Sequence, residues 1–286
     1  MVERRPLFNL FCHVILILGI VSIAIPVWIA IVATTHENSA FATGTPLWFG
    51  DLGFSVFRDL LSNSTDSNYA LPMNALPIGS MLLNSFIMAM CITIGKLTIS
   101  LMSAYAVVFF RFPGRMLAFW MIFFTLMLPV EVRIMPTFEV VTDLNMLNSF
   151  YGLTIPLIAS ATATFLFRQF FLTVPNELVE AARIDGAGPI KFFFDILLPL
   201  SRTNIAALFV ITFIYGWNQY LWPLLITTDA EYYTIVMGIK QMLSVTDGVV
   251  EWNKIMATTI IAMLPPVLVV IAMQKAFVKG LVDSEK

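Results

Sequence analysis

The sequence predicts an all-α protein that crosses a membrane several times, and three observations support this prediction. Hydrophobic residues make up 59% of the chain and its mean hydropathy is +0.87, both far above the values of soluble domains. Six apolar runs are each long enough for a helix to cross a hydrocarbon core of ~30 Å. Charged residues make up only 12% of the chain and lie mostly between these runs.

The first apolar run covers residues 8–34 and follows Arg4 and Arg5, a pattern that also occurs in secretory signal peptides. The run is too long for such a peptide and no small-residue cleavage site closes it, so we expect an uncleaved membrane anchor. Five further spans are predicted at about 81–110, 116–141, 151–172, 201–226 and 255–278. Because no repeat of solenoid length interrupts them, we expect a single transmembrane domain over residues 1–286.

Lysines and arginines are distributed unequally over the loops and the ends of these spans. One side of the membrane receives only Arg58, Lys240 and Lys254, and the other side receives Arg4, Arg5, Arg111, Arg115, Arg168, Arg183, Lys191, Arg202, Lys275, Lys279 and Lys286. Cytoplasmic loops are the ones enriched in these residues, which predicts that both termini and the segment 173–200 are cytoplasmic. The polar segment 36–80 is then an extracytoplasmic, or periplasmic, loop.

The segment 173–200 is the most charged part of the chain and predicts a helix, a turn and a second helix. Asn176 is suited to cap the first helix, and Gly186 to adopt the left-handed conformation that ends it. Pro189 is suited to the first turn of the second helix, where its missing N–H costs nothing, and Pro199 is expected to end that helix.

The same segment contains a spaced pattern: Glu180-Ala-Ala, three residues, Gly186, nine residues, and Ile196-Leu-Leu-Pro199. This pattern resembles the loop that characterises the membrane subunits of bacterial ABC importers. The resemblance implies a cytoplasmic loop, 173–200, that docks on an ATPase subunit. The residues that it implies for coupling to the ATPase are Glu180, Ala181, Ala182, Asp185 and Gly186. An amphipathic connector that packs only on its own chain is the alternative interpretation.

Lys96, Glu131 and Arg133 lie inside the apolar runs, where a charge is costly and usually faces a partner or water. Counting 1.5 Å per residue from opposite faces places Lys96 and Glu131 at similar depths. They could therefore form an ion pair that holds two helices together, or they could line a translocation pathway, and the sequence leaves both open.

The stretch Gly216-Trp-Asn-Gln-Tyr-Leu-Trp-Pro223 closes the fifth predicted span. Its aromatic side chains Trp217, Tyr220 and Trp222 would fit a belt at the membrane interface. Asn218 needs hydrogen-bond partners at this depth, which makes it a further candidate for the pathway. A similar stretch occurs in the carbohydrate-uptake branch of the importer family.

Within that branch, residues 126–134, 159–171, 209–223 and 280–286 are similar to permease subunits of glycerol-3-phosphate importers. The resemblance implies the type I importer permease fold and a place in the bacterial inner membrane. It also implies a second, different permease subunit, two ATPase subunits and a periplasmic solute-binding protein. The implied cargo is sn-glycerol-3-phosphate or a glycerophosphodiester, with a neutral sugar or oligosaccharide as the alternative.

Other classes of protein fit the sequence less well. A secondary transporter would need coupling-ion chemistry in this one chain, and duplicated halves are not evident. A membrane scaffold would need neither a docking loop nor polar residues in its spans.

The chain contains no G-x-x-x-x-G-K-S/T phosphate loop, so ATP and Mg²⁺ are expected on the ATPase partners and no catalytic residue or cofactor is expected here. Cys12 and Cys91 lie in different apolar runs, which predicts neither a disulfide nor a metal site, and a net charge of −2 gives no reason to expect nucleic acid.

Overall fold

The computed structural model describes residues 6–42, 44–61, 77–125, 128–244 and 250–283, except for the side chains of residues 6, 130–131 and 275–283. Within these ranges every regular element is helical, which confirms the all-α fold class. The α-helices are α1 (Pro6–Ala33), α2 (Ser55–Leu61), α3 (Ile78–Phe109), α4 (Arg115–Phe124), α5 (Val130–Asp143), α6 (Phe150–Thr154), α7 (Ala161–Phe171), α8 (Asn176–Ile184), α9 (Pro189–Phe192), α10 (Leu198–Leu200), α11 (Arg202–Trp217), α12 (Leu221–Ile226), α13 (Ile235–Leu243) and α14 (Trp252–Asp283). A π-helical turn, Phe193–Leu197, joins α9 to α10.

Three described helices are long and apolar enough to cross a membrane: Leu7–Ala33, Ile78–Phe109 and Trp252–Gln274. Two bent pairs raise this number to five if each pair is one span. The first joins Phe150–Leu157 to Ala161–Phe171 at 46°, and the second joins Pro189–Leu200 to Arg202–Trp217 at 73°. A multi-span protein is therefore confirmed by length and composition, whereas the count of six spans stays a prediction.

The predicted span 116–141 corresponds to two helices, α4 and α5. Pro129 is the residue before the first turn of α5, and its ring cannot continue a helix from the preceding residues. Among the described residues, α4 is the one helix of 10–17 residues that is as apolar as a membrane helix. Helix α5 carries Arg133, Glu139 and Asp143, so its exposed side is suited to water or protein better than to lipid.

The chain divides into two compact units, of which the first comprises residues 1–79 and 238–263. Its helix α1 is apolar around its circumference, and most of its described side chains are exposed, as a lipid-facing helix requires. The segment after α1 is fixed to the start of α14 by two side-chain amides. Asn38 donates to the carbonyl of Val250 at 2.8 Å, and Asn253 donates to the carbonyl of His36 at 3.2 Å.

The second unit comprises residues 80–237 and 264–286 and contains two clusters of buried side chains. The first, which we call the lower cluster, joins α3, α7 and α11 to the segment 173–200. Its buried members are Leu97, Leu101, Ala104, Ala163, Phe167, Phe171, Val174, Ala182, Phe192, Leu197 and Leu208. The second, the upper cluster, joins α3 to α5, α6 and α12, and its buried members are Met88, Ile92, Val141, Leu153, Trp222 and Ile226.

The loop between α12 and α13 is held in place by hydrogen bonds from residues distant in sequence. Asn84 of α3 donates to the carbonyls of Glu231 and Tyr233, at 2.7 and 3.0 Å. Asn148 has a positive φ of 47°, and its side-chain oxygen accepts from the backbone N–H groups of Thr228 and Asp229. Asparagine is one of the few residues that tolerates this conformation, so the turn and the loop are fixed together.

Candidate functional site

The predicted helix–turn–helix between residues 173 and 200 is present. Helix α8 ends at Ile184, and Gly186 has a φ of +72°, the left-handed conformation expected of the residue after a helix. The next helical segment begins at Pro189, which occupies its first turn as predicted. We call residues 173–200 the coupling loop.

Two boundaries of the coupling loop differ from the sequence prediction. Pro175, not Asn176, precedes the first helical residue of α8, and no side chain caps this end. The second helical segment passes Pro199 and ends at Leu200. Pro199 follows the π-helical turn, where the regular pattern of backbone hydrogen bonds is already interrupted, so its missing N–H is tolerated there.

One side of the coupling loop is packed firmly on the rest of the second unit. Ala182, Phe192 and Leu197 are buried in the lower cluster, against side chains of α3 and α7. The hydroxyl of Tyr105 in α3 donates to the carbonyl of Pro189 at 2.8 Å, and its ring contacts Phe193 at a centroid distance of 5.0 Å. The loop is therefore fixed to α3 at the point where its two helical segments meet.

The other side of the coupling loop is exposed and carries both apolar and acidic groups. Glu180, Ala181 and Asp185 are exposed, and Ile184 has 86% of its surface exposed, the highest value among the exposed large hydrophobic side chains. Sequence reasoning missed Ile184, although an isoleucine between Arg183 and Asp185 in a polar turn was a usable signal. An exposed isoleucine flanked by charged side chains on a rigid base is suited to contact another protein.

Ala182 is separated from the other predicted coupling residues. Its side chain is only 4% exposed because it packs into the lower cluster, whereas Ala181 faces outward. The sequence prediction placed both alanines on the face that meets a partner. In this chain only Ala181 lies on the exposed face, and Ala182 connects that face to the core. The apolar residues of the second helical segment divide in the same way, since Leu197 is buried while Ile190 and Phe194 are exposed.

Lys96 of α3 is 7% exposed, and its Nζ atom lies 3.6 Å from the centroid of the Tyr215 ring. Tyr215 belongs to α11 and was not among the residues singled out from the sequence. The ring faces the ammonium group with its negative π-surface, which is a favourable cation–π contact.

The side chain of Glu131 lies outside the described residues, so the Lys96–Glu131 ion pair stays a prediction. Arg133, two residues further along α5, is exposed. Ile134, the residue after Arg133, packs against the upper cluster, which contains Ile92 of α3, one helical turn before Lys96. Arg133 and Lys96 therefore lie next to residues that pack in the same cluster.

Asn218 directly follows α11 and is exposed at the break between α11 and α12.

The expectation that the neighbouring aromatic residues form a belt at the membrane interface is wrong for two of the three. Trp217 is 3% exposed and stacks on Phe213, and Trp222 is 4% exposed and donates its Nε1–H to the carbonyl of Gly152 at 3.0 Å. Both indoles are buried because they fill the space between helices of the second unit.

No group of three or more potential metal ligands occurs among the residues that the structure describes. The described cysteines Cys12 and Cys91 are free. The polar groups available for function are thus the coupling loop and the cluster formed by Lys96, Tyr215 and Arg133.

Comparison with known protein families matches residues 96–283 to the family described as binding-protein-dependent transport system inner membrane component. Two curated relatives cover the whole chain and are themselves covered completely. Each is a protein named sn-glycerol-3-phosphate transport system permease protein UgpE, from Pectobacterium atrosepticum at 57% identity and from Salmonella typhi at 58% identity.

Among solved structures, the fold is similar to a chain in the crystal structure of a bacterial ABC transporter involved in the import of the acidic polysaccharide alginate. The TM-score is 0.80, and the similarity covers 97% of this chain and 99% of that one. Sequence identity is 19%, so this likeness concerns the fold, which is that of an ABC importer permease.

Proposed function

Because this chain belongs to the family of inner membrane components of binding-protein-dependent transport systems, we propose that it is one of two different permease subunits of an ATP-driven importer. The complete importer would also contain two ATPase subunits and a periplasmic solute-binding protein. In that assembly the chain crosses the bacterial inner membrane six times, with both termini in the cytoplasm, and forms half of the translocation pathway.

The observation that best supports this function is the two-sided coupling loop. Its buried side is continuous with the packing of α3, α7 and α11, through Ala182, Phe192 and Leu197. Its exposed side presents Glu180, Ala181 and Ile184. A force applied to the exposed side by an ATPase subunit would reach these helices without passing through a flexible linker, which is what coupling of ATP hydrolysis to transport requires.

The cargo is proposed to be sn-glycerol-3-phosphate or a glycerophosphodiester. Support comes from the names of the relatives, which are 57–58% identical over the full length of both chains. ATP and Mg²⁺ would bind to the ATPase partners, and this chain would contribute no catalytic residue.

Reconstitution tests the proposal. The chain is placed in proteoliposomes with the second permease and the ATPase from the same bacterium, and the solute-binding protein is added outside. Uptake of radiolabelled sn-glycerol-3-phosphate is expected only when all components and internal ATP are present. Glycerophosphocholine and maltose are tested in parallel. Uptake of maltose alone would contradict the proposed cargo, and uptake by this chain without the ATPase would contradict the whole assignment.

A variant of the coupling loop tests the role of its exposed side. Glu180→Arg reverses an exposed charge on α8 without touching the buried side of the loop. Uptake and solute-stimulated ATP hydrolysis are expected to be lost while the amount of permease in the membrane is unchanged. Lys191→Gln, which alters another exposed charge of the same loop, serves as a matched control. Equal uptake by both variants would show that Glu180 does not contact the ATPase.

A further inference from the structure

Among the side chains that the structure describes, none supplies the counter-charge that a nearly buried ammonium group such as that of Lys96 normally has. Lys96 is 7% exposed in a helix that is apolar and long enough to span the membrane. Among the described residues no oxygen accepts a hydrogen bond from its Nζ atom, and its nearest described partner is the face of the Tyr215 ring. A buried charge without a counter-charge is strongly unfavourable. Such a group inside a membrane span usually pairs with another group or marks the pathway of an ion or a charged substrate.

The Tyr215 ring satisfies this charge only in part. An aromatic face attracts a cation but accepts none of the three hydrogen bonds that a lysine ammonium group can donate. Tyr215 itself is 37% exposed, so the ring lies where it can be reached from the surface of the unit. Lys96 is therefore held under a ring that could release it to a stronger acceptor.

A second cation lies beside this group. Helix α5 packs on α3 because Ile134, Phe138 and Val141, at helical spacing, lie in the upper cluster with Ile92. Lys96 is one turn beyond Ile92, and Arg133 is adjacent to Ile134. This register places Arg133 on the same stretch of the α3–α5 contact as Lys96, and the exposed guanidinium has no ion pair among the described side chains.

The predicted spans carry more positive than negative charge at this place. Lys96 and Arg133 are two cations, whereas Glu131 is the single acidic residue within four positions of either of them in the sequence, since Glu139 lies six residues beyond Arg133. One carboxylate cannot neutralise both, so a positive charge remains wherever the Glu131 side chain points. A phosphate monoester carries between one and two negative charges at pH 7 and has three acceptor oxygens, which matches this surplus.

We propose that Lys96 and Arg133 bind the phosphoryl group of an organic phosphate as it passes this subunit, and that Tyr215 holds the Lys96 ammonium group when no anion is present. The site rests on the proposed function, since it belongs to the translocation pathway. The planar guanidinium of Arg133 can form two parallel hydrogen bonds to phosphate oxygens, and Lys96 supplies a compact second charge. No bond is made or broken: the anion displaces the ring from the ammonium group and later leaves.

The test uses the complete importer in proteoliposomes, with sn-glycerol-3-phosphate as the probe. Lys96→Gln and Arg133→Gln each remove one charge. Because a charge-assisted hydrogen bond is lost, we expect maximal uptake to fall roughly tenfold or more in each variant. ATP hydrolysis stimulated by the loaded binding protein is expected to stay within about twofold, because coupling loop and receptor surface are unchanged. Arg202→Gln, an exposed arginine at the start of α11, is the matched control and should transport normally.

The conservative variants separate charge from shape. Arg133→Lys keeps the charge but loses the paired hydrogen bonds, so its uptake is expected between that of Arg133→Gln and the unaltered chain. Tyr215→Phe keeps the aromatic face and is expected to transport better than Tyr215→Leu, which removes that face.

Three results would overturn the site. Unchanged uptake by both Lys96→Gln and Arg133→Gln, in an importer that transports the phosphate ester, would remove the site and leave the proposed function intact. Loss of assembled complex in Lys96→Gln that is restored, together with uptake, by Lys96→Gln/Glu131→Gln would show an internal ion pair instead. Failure of the unaltered complex to transport any phosphate ester would refute the proposed cargo first, and the site with it. Arg133 is exposed, so its variant stays informative if Lys96→Gln does not assemble.

Discussion

Two glycines of the coupling loop, two residues apart, have different requirements. Gly186 has a φ of +72° and Gly188 has a φ of −69°, and a Cβ atom at either position would meet no other atom within 4 Å. Any cost of a side chain at Gly186 is thus conformational and not steric. The left-handed conformation costs an L-residue about 1–2 kcal/mol, and more when the side chain is β-branched.

We therefore expect Gly186→Val to displace α8 relative to the second helical segment, whereas Gly188→Val is tolerated. In the reconstituted complex Gly186→Val should lower ATP-driven uptake and the amount of ATPase that co-purifies, with the permease itself still inserted. Gly186→Asn should lie in between, since asparagine tolerates positive φ. Uptake and subunit ratios are measured together. Equal behaviour of the two valine variants would mean that the turn conformation does not matter for coupling.

At the scale of residues, local patterns were predictable and distant partners were not. The positive φ of Gly186 and the position of Pro189 follow from the few residues around them, because helix ends are determined locally. The contact of Lys96 with Tyr215 joins two helices far apart in sequence. Nothing in the hydrophobic periodicity of either helix indicates that the two residues face each other.

Helix α3 is the element on which the second unit is assembled, and it permits close approach through small residues. A Cβ atom at Gly95 would lie 2.5 Å from the Cγ2 atom of Ile158. A Cβ atom at Gly216 of α11 would lie 3.0 Å from the Cα atom of Ala89. Small residues at such crossings are typical of membrane helices, which gain packing contacts when their backbones come close.

The close contact at Gly95 predicts that one added methyl group at this position has a strong effect on stability. Gly95→Ala should destabilise the permease by about 1–3 kcal/mol, because the β-branched Ile158 cannot move its Cγ2 atom away without a backbone shift. Gly79→Ala lies on the same helix in open space and should leave stability unchanged or slightly higher. The measurement is the temperature at which detergent-solubilised protein loses its monodisperse elution peak.

A second substitution provides the internal check. Ile158→Ala removes the atoms that a Cβ at position 95 would meet, so Gly95→Ala/Ile158→Ala should be more stable than Gly95→Ala alone. If the double variant is less stable than the single one, the contact between these positions is not the cause of the loss.

At the scale of elements, the long helices were predicted well and the broken ones less so. The predicted span 81–110 corresponds to α3 (Ile78–Phe109) within a few residues, because an uninterrupted apolar run specifies one helix. The predicted spans 116–141 and 151–172 are each divided, next to Pro129 and Pro156. Pro136 and the pair Pro265 and Pro266 do not end their helices. Whether a proline breaks a helix depends on tertiary contacts that satisfy the freed carbonyl, and these are not visible in local sequence.

For the molecule as a whole, the orientation in the membrane follows from charge alone. Of the lysines and arginines other than Lys96 and Arg133, eleven lie in loops or near span ends on one side and three on the other. This bias predicts that the coupling loop is cytoplasmic, where ATP is available, and that the loop after α12 is extracytoplasmic. Structure and family similarity agree with a membrane protein of several spans but leave this orientation to be tested.

Single cysteines test the orientation directly. In a background with Cys12→Ser and Cys91→Ser, Asp51→Cys and Glu231→Cys are placed at exposed positions of the two predicted outer loops, and Gly188→Cys at an exposed position of the coupling loop. A membrane-impermeant maleimide added to spheroplasts should label Asp51→Cys and Glu231→Cys within minutes and leave Gly188→Cys unlabelled until the membrane is permeabilised. Inside-out vesicles should show the reverse pattern, which controls for differences in intrinsic reactivity. Labelling of Gly188→Cys from outside would place the coupling loop away from ATP. It could not then contact a cytoplasmic ATPase, whatever its similarity to loops that do.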